Sequence, residues 1–293
     1  MEIEIAGLSV SLEFRDGLAE KQCVARYAAY AAPPASTPEL RVEVAVAPRA
    51  AFDHLATQRE PRVDGHGNVF SVRCADMIGT LDLGGRRATV SYAGEIGAVQ
   101  SFLRIASALS LTCLGGFLVR ASSVVRDGKA YLFVGPSGTG KSTIARLSAP
   151  RPVLSDAAAA VRASADAIKD PEYACFATPF WEDASHEVAA FTQEPKRKAP
   201  LDAVIFPVHA ADDELPSAAP LGRSEALTKL LHSVYYFGDD EALMRKLIDN
   251  CTAFVEKTDP RVLRFRRDPT FWECLERGDG GNHLTVAAPS FQT

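Results

Sequence analysis

Apolar and polar residues alternate through much of the first ninety positions. Ile3, Ile5, Leu8, Val10, Leu12 and Phe14 mark one such stretch, and Leu40, Val42, Val44 and Val46 mark another. Residues 68–74, 79–83 and 87–92 repeat the pattern, the last two separated by Gly84-Gly85. Alternation with a period of two is the signature of a half-buried strand, so this region is predicted to be β-rich. Residues 31–38, which hold Pro33, Pro34 and Pro38, read as a connecting loop.

The period changes near residue 94. Val99, Phe102, Leu103, Ile105, Ala106, Leu109 and Leu111 give a broad helical face over residues 94–113, and Gly115-Gly116 ends it. Residues 117–125 and 130–134 are apolar runs of strand length joined across Asp127-Gly128, a turn pair that predicts a hairpin. Further short strands are predicted at 153–156, 159–162 and 173–178, with a central strand at 201–208. Residues 223–233 and 239–256 have helical spacing. A strand at 262–265 and a short helix at 269–275 close the pattern, and the last dozen residues, from Gly280, read as a tail.

Composition narrows the class. The 293 residues are 47% hydrophobic and 24% charged, with a formal net charge of −5, which disfavours bulk attraction to nucleic acid or to acidic lipid. The six cysteines are scattered, without a C-x-x-C pair or a histidine spaced to complete a zinc site, and read as reduced thiols. The opening Met-Glu-Ile-Glu-Ile is acidic, unlike a signal peptide. The apolar stretch 105–119 is broken by Ser, Thr and glycines, too short to span a bilayer. A soluble, cytoplasmic protein with no nucleic-acid or membrane partner is the expectation.

One motif carries chemistry. Residues 135–142 read G-P-S-G-T-G-K-S, between a strand-length apolar run and a helix-spaced segment. That context makes it a P-loop. Gly135, Gly138 and Gly140 let the backbone curl so that successive N–H groups face phosphate oxygens, with Pro136, Ser137 and Thr139 completing the loop. Lys141 supplies a full charge for terminal phosphates, Ser142 a hydroxyl for magnesium, and Thr143 continues into the helix. ATP, or another phosphoryl donor such as pyrophosphate, is the expected ligand, with Mg2+.

The chain resembles the HPr kinase/phosphorylase superfamily, and among it the smaller HPr kinase-related proteins of bacterial gene clusters. The residues that carry the likeness are F-L-V-R-A-S-S-V-V at 117–125, D-G-K-A at 127–130, the P-loop, V-L-S-D at 153–156, T-P-F at 178–180, P-L-D-A-V-I-F at 200–206 and L-R-F at 263–265. The resemblance covers residues 95–275. It implies an α/β fold: a P-loop HPr kinase/phosphoenolpyruvate carboxykinase-like domain over residues 95–278, after a small β-rich region at 1–94 and before a tail at 279–293. It implies a kinase that phosphorylates a serine-type hydroxyl on a protein, peptide or small molecule, often as a homo-oligomer.

By the same resemblance Asp156 ligates metal with Ser142 and positions the attacking hydroxyl. The chain departs from the family pattern at Arg120, where a histidine is usual, and at Ala157, where a second carboxylate serves as base. Arg120 suits developing phosphoryl charge. Ala157 accepts no proton, and loss of a base costs about 10²–10⁴-fold in rate. A catalytically degenerate nucleotide-binding regulator or scaffold is therefore the alternative. A transporter ATPase subunit is disfavoured, because no L-S-G-G-type signature follows the P-loop.

Other polar residues are weighed against ordinary surface. Asp53, His54, Asp64 and His66 read as solvated. Lys196-Arg197-Lys198 is either a solvated turn or a clamp on a partner, and His186 with Glu182 and Asp183 either a surface loop or an approach to the site. Phe180 and Trp181 read as packing residues, and Arg264, Arg266 and Arg267 as one solvated face.

Overall fold

A computed structural model describes residues 1–163, 172–181, 198–211 and 214–277. The alternating segments at the start of the chain become one seven-stranded sheet in the order β1-β2-β3-β7-β6-β5-β4. β1 (Glu2–Ile5) and β2 (Leu8–Phe14) form a hairpin, and β3 (Leu40–Val46) and β7 (Arg87–Tyr92) extend it in parallel. β4 (Arg62–His66), β5 (Val69–Cys74) and β6 (Met77–Asp82) complete it as an antiparallel meander. Alternate residues such as Val10, Leu12, Val42, Val44, Val72, Leu81 and Val90 are buried, which is the cause of the period in the sequence.

The β-rich reading overlooked a helix, α1 (Gly17–Tyr27), which crosses from β2 to β3. Its buried face, Ala19, Cys23 and Tyr27, has the four-residue spacing of a helix. Asp16 caps it, accepting from the Ala19 N–H at 2.8 Å and from the Val46 N–H at 2.8 Å.

α2 (Ile96–Cys113) lies between this sheet and the next, against β6 and β7 on one side and β8 (Gly116–Arg126) on the other. It is long and apolar enough to cross a membrane, yet 61% of it is buried inside the protein. Gly79 on β6 admits it, since a Cβ there would stand 2.4 Å from Phe102 Cε2 and 2.8 Å from the Thr89 carbonyl oxygen.

The second sheet is mixed. β8 turns through Asp127 and Gly128, at φ 50° and 82°, into β9 (Lys129–Val134), the left-handed pair that tight hairpins require. β10 (Val153–Ser155), β11 (Ala158–Ala163), β12 (Tyr173–Phe176), β13 (Lys198–His209), β14 (Ser217–Pro220) and β15 (Pro260–Phe265) follow. Pairing runs β8 to β11, β12, β13, β9 and back to β8, which closes five strands into a ring. β13 is long enough to pair successively with β12, β9 and β15, the last two in parallel. β9, β13 and β15 therefore run side by side in one direction.

Helices cover both faces. α3 (Lys141–Leu147) and α6 (Phe271–Arg277) pack over the parallel strands, in a core of Phe133, Ile144, Ile205, Phe265, Phe271 and Trp272. α4 (Arg223–Leu231) and α5 (Glu241–Lys257) join the larger core, which continues through α2 into the first sheet. The segments flanking the sheets also bond directly: the Ala6 N–H, in the β1–β2 turn, donates to the Ala177 carbonyl at 3.1 Å, and Tyr30 Oη donates to the Thr178 carbonyl at 2.8 Å. The residues read as a tail, 279–293, lie outside the described residues.

Two measurements test this packing. Gly79→Ala is expected to lower unfolding stability by about 1–3 kcal/mol through overpacking against Phe102, seen as a lower denaturant midpoint at constant slope. Asp16→Ala should cost about 1 kcal/mol at neutral pH by removing the cap. The two N–H groups, Val46 first, hold the Asp16 carboxylate below its ordinary range. Its ionised form therefore stabilises the fold above that range, and the contribution disappears as pH falls through the lowered value. The gap between wild type and Asp16→Ala should close in acid-titrated unfolding curves.

Candidate functional site

β9 delivers the buried residues Leu132, Phe133 and Val134 to the rim of the sheet, where the chain enters the glycine loop. The Gly135 N–H donates to the Arg120 carbonyl at 3.1 Å, tying the loop's root to β8. Gly138 and Gly140 sit at φ 85° and 92°, left-handed values that favour glycine. Thr139 Oγ1 donates to the Pro136 carbonyl at 3.0 Å, and Lys141 Nζ donates to the same carbonyl at 2.7 Å. Lys141 is only 8% exposed, so its ammonium is held within the loop's curve. The Ile144 N–H closes the first helical bond on the Gly140 carbonyl at 2.9 Å.

Beside this loop is a pocket of about 260 Å³. The loop and the first turn of α3 contribute Ser137, Gly138, Gly140, Lys141, Ser142 and Thr143, and His209 and Arg267 close the other side. Each contributor sits at or beyond the carboxyl end of a parallel strand: the loop after β9, His209 at the end of β13, and Arg267 just past β15. The carboxyl rim of parallel strands is where ligands of many α/β sheets bind, and the parallel strands β9, β13 and β15 present that rim here. His209 Nε2 lies 3.3 Å from the Gly138 carbonyl oxygen, and its ring centre is 5.1 Å from that of Phe265.

Asp156 follows β10 and is 3% exposed. Its Oδ1 accepts from Ser122 Oγ at 2.7 Å. Ser122 is paired with Phe133 across the hairpin, and Phe133 belongs to the core beneath α3. Side chains of paired residues share a sheet face, so the Ser122–Asp156 pair lies on the side that carries α3. Asp156 and Arg120 are not among the pocket's lining residues. Arg120 is exposed, and its guanidinium carbon lies 5.1 Å from the centre of the Tyr235 ring.

For magnesium, the donors on this face are the Ser142 hydroxyl and the Asp156 carboxylate. Among the described residues no group of three or more His, Cys, Asp and Glu side chains converges.

A family model described as SynChlorMet cassette protein ScmC matches residues 98–278. The chain belongs to the ScmC family. The match takes in all but the first two residues of α2, both strands of the hairpin, the glycine loop, Asp156, His209 and Arg267. It corrects the expectation of HPr kinase membership: the stretch that resembled that family, 95–275, is matched by ScmC. The resemblance rested on short motifs around a glycine-rich loop, and such loops recur in unrelated families. No curated protein matches the sequence.

Two pocket residues of this ScmC-family chain escaped the sequence reading. His209 ends the apolar run at 201–208, and the rule that sites gather at strand carboxyl ends was the available signal. Arg267 was assigned to a solvated face with Arg264 and Arg266. Arg264 pairs with Glu214 and Arg266 with Asp268, both at 3.6 Å, while Arg267 lines the pocket. Phe180 and Trp181 are buried, as packing residues should be. Asp53, His54 and His66 are exposed, and Asp64 is held by Arg62 and Arg73. Glu182, Asp183, His186, Lys196 and Arg197 lie outside the described residues.

Gly138 and Gly140 give a paired test. Gly138→Ala meets open space and should cost only the left-handed backbone penalty, about 1–2 kcal/mol. At Gly140 the added Cβ would also stand 2.4 Å from Phe265 Cζ, so Gly140→Ala should lose a further 1–3 kcal/mol or so. Urea unfolding of the two variants measures the difference.

Proposed function

We propose that this chain is a P-loop phosphotransferase. It binds a nucleoside triphosphate with Mg2+ at residues 135–142 and transfers the terminal phosphoryl group to a hydroxyl on a protein, peptide or small molecule. The observation that carries the reading is the pocket: a glycine loop with two left-handed positions, Lys141 and Ser142 on its rim, and His209 and Arg267 facing them. Phosphoryl transfer needs positioning and neutralisation of charge rather than covalent chemistry from the protein, and those are the groups this rim offers.

In this reading the loop N–H groups and Lys141 hold the phosphates. Arg267 adds a planar set of donors, which suits equatorial phosphoryl oxygens. Ser142 and Asp156 would hold the magnesium, whose chemistry is to screen phosphate charge. As the acceptor oxygen bonds to phosphorus and the bond to the bridging oxygen breaks, the hydroxyl proton passes to Asp156. Ser122 fixes the carboxylate for that role. No disulfide joins the six cysteines. Burial pushes the Cys175 and Cys251 thiols up to about 12, which leaves them unreactive.

A second reading, a nucleotide-binding regulator without transfer, draws on Ala157 beside Asp156 and on the engagement of Asp156 by Ser122. Calorimetric titration with Mg-ATP, GTP and pyrophosphate tests the binding step. Micromolar binding that Lys141→Ala abolishes is expected, and none in the wild type would sink both readings. Transfer from γ-labelled ATP then separates them. Asp156→Asn should lose about 10²–10⁴ in rate while still folding, and an unchanged rate would refute Asp156 as base.

A further inference from the structure

Two arginines outside the P-loop pocket meet at one aromatic ring. Arg104 belongs to α2 and Arg120 to β8, and their guanidinium carbons lie 5.6 Å and 5.1 Å from the centre of the Tyr235 ring. Tyr235 is itself held in place. Its N–H donates to the Leu118 carbonyl at 2.8 Å, the Arg120 N–H donates to the Ser233 carbonyl at 2.8 Å, and Val119 bridges Val234. The segment after α4 is thus laid antiparallel along β8. The Phe237 ring stacks on Tyr235 at 6.2 Å.

Several other arginines have acidic partners: Arg15 with Glu43, Arg62 and Arg73 with Asp64, Arg264 with Glu214. Among the described residues no carboxylate pairs with Arg104 or Arg120, and the buried Arg104 Nε has no hydrogen-bond partner. Two like charges at one ring repel, and a buried N–H without an acceptor destabilises the fold. A single oxyanion relieves both, because guanidinium donors match carboxylate and phosphate oxygens. The stacked ring keeps the cations oriented.

The position relates this pair to the site. Arg120 shares a face of β8 with Ser122, two residues on, and Ser122 holds Asp156. At about 3.3 Å per residue, the two positions are about 7 Å apart along the strand. The Arg120 carbonyl also anchors Gly135 at the loop's root. Through these two contacts β8 links the arginine pair to Asp156 and to the root of the glycine loop.

We infer that Arg104, Arg120 and Tyr235 form a separate anion site that holds a carboxylate or phosphate group of the phosphoryl acceptor. Its assignment to the acceptor rests on the phosphotransferase reading above. The ligand chemistry is an oxyanion, from an acidic or an already phosphorylated acceptor.

The test follows the arginine Nε–H signals of ¹⁵N-labelled protein by NMR during titration with inorganic phosphate and, separately, with succinate. Arg104 and Arg120 signals should move together on one saturable curve, tighter for the anion that matches the natural acceptor. Arg104→Gln should weaken that curve about tenfold or more, as loss of a charge-assisted donor does. Arg120→Gln, at an exposed side chain, should do the same and guards against misfolding of the first variant. Lys141→Ala should leave the curve intact. Signals that do not move in the wild type, or a curve as tight in both glutamine variants as in the wild type, overturn the site. A curve lost in Lys141→Ala would mean that the anions report on the P-loop, and the proposal falls. Should the wild type bind these anions but not Mg-ATP, the anion site stands and its assignment to an acceptor falls.

Discussion

Phe265 packs against the P-loop so closely that only glycine fits at position 140. That contact couples the parts of the site. Phe265 ends β15, β15 lies parallel to β13, and β13 lies parallel to β9, whose end becomes the loop. Beneath it Phe133, Phe271 and Trp272 meet edge-on or tilted at 5.4 to 6.4 Å, and Trp272 Nε1 donates to Ser148 Oγ at the end of α3. The seven-residue α3 is too short to be stable alone. This aromatic bed holds it, and with it the direction in which the loop opens.

α1 and the turn after it buttress the second sheet beside Asp156. Tyr30 and Arg26 donate to the carbonyls of Thr178 and Pro179, at 2.8 and 2.6 Å. Thr178 in turn donates from Oγ1 to the Ala158 carbonyl at 2.5 Å, and its N–H donates to the Leu154 carbonyl at 3.3 Å. Leu154 and Ala158 flank Asp156. The carboxylate is thus braced from the N-terminal region through one buried threonine.

The chain around Asp156 is polar although it is buried. Ser122 satisfies the carboxylate, while Ser155 Oγ, beside Ser123 on the paired strand, has no hydrogen-bond partner among the described residues. Such a hydroxyl costs about 1–3 kcal/mol. A purely structural core would place alanine or valine there, as it does at Ala158, Ala159, Ala160 and Val161 on the neighbouring strand. Ser122, Ser123 and Ser155 thus form a buried polar cluster around Asp156 in an otherwise apolar sheet.

What the sequence determined by itself was local. The strand, loop and helix around 135–142 are contiguous, so spacing alone revealed them, and the Asp127-Gly128 turn announced the hairpin that feeds them. Burial on one face wrote the alternation of β2, β3 and β7. α1 went unread because eleven residues with three buried positions leave a faint period, and its cap, Asp16, is bonded partly by Val46 from a distant strand. Only the tertiary structure decided that His209 and Arg267 join Lys141, or that Arg104 and Arg120 share Tyr235. Those residues are scattered between positions 104 and 267, and what brings them together is the register of strands paired across long separations, which no local pattern encodes.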